Sequence, residues 1–512
     1  MENIYENITS MIKHKMLPEQ VLIEKNITIE DSENISKILA VNSNVSLDRP
    51  IEALKNECTI TGKIFSNVVY TTNDGEINNQ LCTSPFVYKM TNSNIDLGCK
   101  LNVVANVENT EIDKFSNGQV KIITTVGLDV VVIKNQEVSY LKDTEENTYV
   151  KQQEQKIISL NSQNCDKFEE KLEFTVKNGV KKVLMTDVDC ILKEWTAGHN
   201  FISIELELYS KILYVDNQEP AELQTVTLSK IIKQEIEADG VDKETDLDIF
   251  ATIIRENIET VIDELENGET NIIISVPMLV CFNTYACNSI FSINDVYSTD
   301  GILTVENCKI ENGINCKPEF LEGKIEGNIV LDEKEPRIDK YLATTNVNSC
   351  ISNCYIKDGN MFIEGIVTAN VLYLNDELGS IQSIQIEIPY VLDKSVNLNN
   401  NATLEPKVCL FDVDVMVKRG REIYFDAKAK AFVNVTCKAE YDFVKKIEKV
   451  ADAPSRKNAI EIYFAKAGET VWDIAKNLKI PSEMIINQNP NLIDPLDKDQ
   501  NIALFFQKEK NC

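Results

Sequence analysis

Two histidines, His14 and His199, are all the imidazole in a chain of 512 residues. A Ser-His-Asp or Cys-His centre needs a histidine oriented by a third group. His199 follows Gly198 at the start of an alternating apolar stretch, and His14 lies in a polar amino-terminal segment that reads as frayed. The fourteen cysteines give only three close spacings, Cys350-x3-Cys354, Cys281-x5-Cys287 and Cys308-x7-Cys316. None completes the four-ligand set of a structural zinc site, so these residues read as thiols and no metal is expected. Neither G-x4-G-K-[ST] nor G-x-G-x-x-G occurs, which removes the common phosphate cradles. Carboxylates are plentiful, but nothing sets two of them across a cleft as a glycosidase requires. They read instead as the polar faces of strands. The expectation is a scaffold or binder with no catalytic residue and no cofactor, rather than an enzyme.

Bulk properties agree with that class. The formal net charge is −29, a field that repels nucleic acid and anionic lipid and suits a basic partner. The opening "MENIYENITSMIKHKMLPEQ" has no basic region followed by an apolar one, so no secretory signal is read. The most apolar run, "IIISVPMLVCF" at 272–282, is too short to span a bilayer and contains Pro277. A cytosolic chain with no transmembrane segment and mostly reduced thiols is therefore expected.

The elements that would carry any site come in three copies. "ECTITGKIFSNVVYTTNDGE" holds Tyr70, "HNFISIELELYSKILYVDNQE" holds Tyr214 and "GNMFIEGIVTANVLYLNDEL" holds Tyr373. Each alternates apolar and polar residues, as a half-buried strand does. Each then meets a polar turn: Asn73-Asp74-Gly75, Asp216-Asn217 or Asn375-Asp376. A second landmark follows in the first two copies. Stretches starting at Asp96 and Asp246 share Asp-Leu starts, Ile-Asp pairs (Ile112-Asp113, Ile262-Asp263) and Asn-Gly turns (Asn117-Gly118, Asn267-Gly268) at one offset. Asn-Gly favours the type I′ hairpin turn, since both residues tolerate positive φ. The third copy is looser, with Gly420 at its turn. Alone, "DIFATIIRENIETVIDELENGE" reads as an amphipathic helix. Alignment with "LNVVANVENTEIDKFSNG" predicts a long hairpin instead.

The predicted fold is mainly β, with three sandwich- or barrel-like units at 17–140, 150–300 and 320–445. Residues 141–156 and 300–320 read as linkers. A third linker, 444–459, is a small basic island with Lys445, Lys446, Lys449, Arg456 and Lys457 against Glu448 and Asp452. It reads as a tether broken by Pro454, or as a contact for an acidic partner.

The last fifty residues differ from everything before them. Thr470 at an N-cap and Asp473 three residues on form a capping-box pattern. Val471, Ile474, Ala475 and Leu478 share one helical face. After Pro481, Ser482 is expected to cap a second short helix carrying Met484, Ile485 and Ile486, and "NQNPN" is a turn. With "IEIYFAK" before and "NIALFFQ" after, the order is strand, helix, helix, strand over 460–507.

That stretch resembles the LysM family. Phe464, Lys466, Gly468, Glu469, Thr470, Val471, Ile474, Ala475, Ser482, Ile486, Leu496, Ile502 and Leu504 meet the family pattern in order, with Asn487 or Asn489 at its asparagine. Glu469 stands for the usual Asp and Asp499 for a late Gly. The resemblance implies a shallow groove for N-acetylglucosamine chains between two loops. Its residues here would be Gly468, Glu469, Thr470, Val471 and Trp472 on one side, and Asn487, Asn489 and Pro490 on the other. Repeats of the Tyr70, Tyr214 and Tyr373 kind ahead of such a module resemble the SPOCS-repeat spore-coat morphogenetic proteins of endospore formers. That resemblance implies work in the mother-cell cytoplasm at the forespore surface. The implied partner of the LysM end is the coat-basement ATPase, stage IV sporulation protein A, with other coat proteins beside it. The alternative is a cell-envelope protein whose LysM end binds peptidoglycan.

Overall fold

The computed structural model describes residues 3–29, 34–116, 119–265, 269–375, 377–453 and 459–506. It is mainly strand, and the strands fall into three units of one design. Unit 1 runs β1 (Ile4–Lys15), β2 (Glu19–Thr28), β3 (Ile35–Leu47), β4 (Ala53–Leu54), β5 (Glu57–Thr72), β6 (Ile77–Thr91), β7 (Lys100–Ser116) and β8 (Gln119–Asp143). Unit 2 runs β9 (Thr148–Val176), β10 (Val180–Ala197), β11 (Phe201–Asp216), β12 (Leu223–Glu237), β13 (Asp246–Ile253), β14 (Glu259–Glu264) and β15 (Thr270–Ser298). Unit 3 runs β16 (Gly301–Val330), β17 (Lys340–Lys357), β18 (Asn360–Asn375), β19 (Ser380–Ser395), β20 (Thr403–Lys418) and β21 (Glu422–Asp452).

Each unit packs two sheets. One is a meander with the tyrosine strand at its centre: β3-β5-β6, β10-β11-β12 or β17-β18-β19. The other is built on a long last strand, β8, β15 or β21, which pairs with the first strand of its unit on one side and the penultimate segment on the other. The apolar residues that alternate along the strands meet between the sheets. In unit 1 these include Ile60, Ile64, Phe86, Val126 and Val130. This is the sandwich alternative of the expected pair.

The tyrosine hairpins form as the alternation predicts. Residues 246–264 are strand, β13 and β14, both paired with β15 and interrupted by a 3-10 turn at Arg255–Asn257. The helical pattern of that segment yields to pairing along β15. Arg419 and Gly420 both take positive φ at the β20–β21 turn. Asn117-Gly118, Asn267-Gly268 and Asp376 lie outside the described residues.

Unit boundaries differ from those expected. The segments read as linkers are largely strand: 141–143 ends β8, 148–156 opens β9, 301–320 opens β16 and 444–452 ends β21. The supposedly frayed amino end is β1. The cause is position in the sheet. The strands β9 and β16 each pair with a single neighbour, and an edge strand with an exposed face carries the polar residues that look like a tether. Lys445 and Lys449 of the basic island pair with Glu306 and Asp452, at 2.6 and 2.7 Å, and Lys446 pairs with Glu448. Arg456 and Lys457 are outside the described residues. One cysteine pair also departs from the expected thiols. Cys165 and Cys281 face each other in the β9–β15 register and are joined as a disulfide; the other described cysteines are free.

A shared device sets the units around a common axis. In all three meanders the register slips next to the tyrosine, between Ile38 and Ala40, Val183 and Met185, and Tyr341 and Ala343. The residue left over in each bulge is a leucine: Leu39, Leu184 or Leu342. A bulge re-aims its extra side chain, and these three meet in one cluster with Ala40, Met185 and Ala343. The carbonyls nearby take hydrogen bonds in cyclic order. Asn67 of unit 1 donates to Leu184 O at 2.7 Å, Lys211 of unit 2 to Thr344 O at 2.7 Å, and Asn346 of unit 3 to Val41 O at 2.5 Å.

The first strands meet elsewhere on the axis. Buried Asn312 of β16 donates to Ile158 O at 2.7 Å and Ser10 Oγ at 3.0 Å, and accepts from Ile158 N at 3.1 Å. Lys13, from unit 1, reaches Asp248 of unit 2 at 2.8 Å and Glu405 of unit 3 at 2.6 Å, with its side chain 1% exposed. Burial opposes its charge, but the two carboxylates outweigh that and hold the ammonium well above the ordinary lysine range.

Candidate functional site

The terminal module has the strand–helix–helix–strand order that the sequence predicts: β22 (Ile460–Ala465), α1 (Val471–Leu478), α2 (Ser482–Gln488) and β23 (Gln500–Phe505). The capping box forms. Asp473 N donates to Thr470 Oγ1 at 3.1 Å and Thr470 N to Asp473 Oδ2 at 3.0 Å. Thr470 Oγ1 also donates to Asp473 Oδ2 at 2.6 Å, and this bond, followed by the one from Thr470 N, holds the Asp473 carboxyl below its usual range. Lys479 ends α1 in the left-handed region, at φ 53°. Ser482 is not the second cap. Pro481 takes that place, and its ring has no polar atom with which to cap α2. Val471, Ile474, Ala475, Ile485, Ile502 and Leu504 form the core.

The expected groove residues divide. Val471 is buried in the core. Asn489 closes the fold, donating to Ile485 O and Ala503 O at 3.1 Å each. Glu469 accepts from Lys466 N at 2.8 Å. Gly468 and Glu469 are paired with Leu496 through two backbone bonds of 2.8 and 3.0 Å, and Val471 N donates to Asp494. The loop before α1 is thus tied to 494–499 rather than to 487–491. Asp499, in place of the expected glycine, accepts from Ala467 N at 2.8 Å. Gly468, Asn487 and Pro490 are exposed, and Thr470 is half-buried.

Trp472 is committed elsewhere. Its indole Nε1 donates to Asp295 Oδ2 at 2.8 Å, and Lys476 Nζ meets Asp295 Oδ1 at 2.5 Å. Its ring packs edge-on against Tyr297 with centroids 4.9 Å apart, and Tyr297 stacks on Tyr149. The Tyr297 hydroxyl donates to Ile480 O at 2.9 Å. Burial works against the Asp295 charge, but Lys476 and Trp472 more than offset it and keep the carboxyl below its usual range. Burial pushes Tyr297 up to about 12. One face of α1 is therefore docked on the end of unit 2. Tyr149, Asp295 and Tyr297 were not legible as a site, because Asp295 lies 177 residues from Trp472 in the chain, Tyr149 lies farther still, and no local period marks the contact.

The opposite face of the module stays open. Ile462, Phe464 and Phe505 point away from its core, and Phe464 is 75% exposed.

No protein-family model, curated protein or solved structure matches this chain.

Among the described residues no group of three or more His, Cys, Asp or Glu side chains is placed to hold a metal ion. His14 and His199 are exposed and lie in different units. No helix among the described residues is long and apolar enough to cross a membrane.

Proposed function

We propose that this chain is a non-catalytic, SipL-like morphogenetic scaffold of the clostridial spore coat. In this reading the three units are SPOCS repeats and the terminal module is a LysM domain. The module captures the coat-basement ATPase, stage IV sporulation protein A, at the forespore surface in the mother-cell cytoplasm, and other coat proteins follow. The observation that carries the reading is threefold recurrence of one two-sheet unit, each with the same leucine bulge, ahead of a strand–helix–helix–strand module. Because Trp472 is engaged by unit 2, the capturing surface is the open face of β22 and β23. An exposed apolar strand face with a polar surround is the usual character of a protein-binding patch.

Deleting 460–512 should abolish co-purification with the ATPase and leave the units folded. Phe464→Asp in the full chain should weaken capture at least tenfold. A truncated chain that still captures the ATPase would refute the proposal.

The second reading is peptidoglycan binding. Exposure of Gly468, Asn487 and Pro490 favours it. Saturable retention of the full chain on purified peptidoglycan, lost on Asn487→Ala with Pro490→Ala, would establish it.

A further inference from the structure

Unit 2 carries one strand-to-strand crosslink, between Cys165 of its first strand and Cys281 of its last, which stand directly opposite in the β9–β15 register. The first and last strands of unit 1 hold no cysteine. In unit 3 the same two strands hold a pair that is not joined: Cys316 of β16 and Cys437 of β21.

These two are diagonal neighbours. Cys316 pairs with Val435 and Ile314 with Cys437, so the cysteines sit two positions apart across the ladder. Diagonal side chains on one face of an antiparallel pair come within reach of each other. Both thiols pack against the core of unit 3, and both are half-buried. The Cys316 thiol leans toward its neighbour: Sγ donates to Ile314 O at 3.7 Å, and Ile314 is the residue opposite Cys437. The two thiols are also hydrogen-bonded to each other.

The backbone beside Cys316 has room to adjust. Lys317 and Pro318 together face Asn434, because the next paired residues are Glu319 and Val433. A bulge of this kind breaks the ladder locally, and Pro318 brings no donor to it. Joining two sulfurs draws the Cβ atoms to about 3.8 Å, an approach that β16 can make at this break.

The same stretch of the two strands holds the axial cation. Asn315 and Thr436 stand opposite each other, next to the cysteines in sequence, and so on the other face of the sheet. Lys13 Nζ donates to Thr436 Oγ1 at 3.1 Å, and Thr436 donates to Asn315 Oδ1 at 3.4 Å. A covalent bond on one face fixes the spacing of these groups on the other.

We propose that Cys316 and Cys437 are a redox-active pair. A peroxide joins them into a second strand-to-strand disulfide, which clamps Asn315 and Thr436 at the Lys13 junction. Cys316 loses its proton, and its sulfur takes one oxygen from hydrogen peroxide. The O–O bond breaks, leaving a sulfenic acid and water. The Cys437 sulfur then attacks the Cys316 sulfur, the S–O bond breaks, and the Cys437 proton leaves with the hydroxyl as water. Two thiols and one hydrogen peroxide thus give one disulfide and two waters. Burial, and then the bond to Cys316, push the Cys437 thiol up to about 12, so it keeps its proton until the sulfenic acid is in place. This pair is separate from the terminal module and independent of what that module captures.

The full-length chain is treated with hydrogen peroxide, its remaining thiols are alkylated, and it is digested without reductant for mass spectrometry. A linked pair of peptides holding Cys316 and Cys437 is expected, two hydrogens lighter than the free pair and split by dithiothreitol. Urea unfolding reads the clamp in a Cys165→Ala, Cys281→Ala background, where the unit 2 link is absent. Peroxide should raise the midpoint there by at least about 0.5 M, and the shift should vanish on adding Cys316→Ser. If that background does not fold, the parent with Cys165–Cys281 closed in both samples reads the same shift. The proposal is overturned if no Cys316–Cys437 link forms at peroxide levels that oxidise the exposed Cys287. It is equally overturned if Cys316 ends as a sulfinic acid or joined to another cysteine, or if the link forms and the midpoint does not move.

Discussion

The axis and the terminal module are two junctions of opposite character. On the axis, Lys13 is 1% exposed at its side chain and bridges carboxylates from two other units, while leucines from all three bulges pack together. Under the module, Asp295 keeps 31% of its side chain in solvent, and contact rests on that carboxylate with Lys476 and Trp472 and on two tyrosines. A buried charge that loses its partner cannot be rehydrated without opening the structure. A half-exposed one can. The axis should therefore open only on unfolding, whereas the module should come away from unit 2 with both parts intact.

The largest expected effect is at Lys13. Lys13→Met leaves Asp248 and Glu405 without their cation and should cost about 3–5 kcal/mol, read as a lower urea midpoint. A change below about 1 kcal/mol would erase the distinction between the two junctions. Asn312→Ala strands the Ile158 backbone groups and should cost about 2 kcal/mol in the same measurement.

Next to the Lys13 junction, burial and the neighbouring Asp248 raise Asp246 to about 6. The folded pKa exceeds the unfolded one, so the native chain holds the proton more tightly between pH 4 and pH 6. Its contribution to stability falls as pH rises through that window. Asp246→Asn should therefore gain roughly 1–2 kcal/mol over the parent at pH 7 and almost nothing at pH 4. Equal gains at both pH values would show that the carboxyl does not titrate there.

The smallest effect is at the module. Asp295→Ala removes both the Trp472 and Lys476 contacts and should cost about 1 kcal/mol of docking. Protease cleavage between 453 and 460 should quicken, while the urea midpoint of the units stays put. A fall in that midpoint would mean that the module is part of the units' fold.

Local pattern revealed the elements that a single strand or helix can announce. Alternation around Tyr70, Tyr214 and Tyr373 marked the central strands, and Thr470 with Asp473 marked a helix start. Position within a sheet has no such local sign. The polar run at 148–156 belongs to an edge strand with one neighbour, and its composition is that of a tether. Lys13 looked like part of a frayed end because its partners lie in two other units. Groove residues taken from a family pattern fared unevenly for a related reason. The pattern records which residues recur, and here Val471 and Asn489 hold the module together while Trp472 faces unit 2.

Fusing three like units into one polypeptide has a consequence for the space they surround. Three separate identical subunits would repeat every wall residue around the ring, so any change would appear in triplicate. A single chain is free of that restriction. The residue three before each central tyrosine is Asn67, Lys211 and Asn370, so one unit carries a cation where its counterparts carry amides. A frame that is almost symmetrical can then differ in charge from one unit to the next.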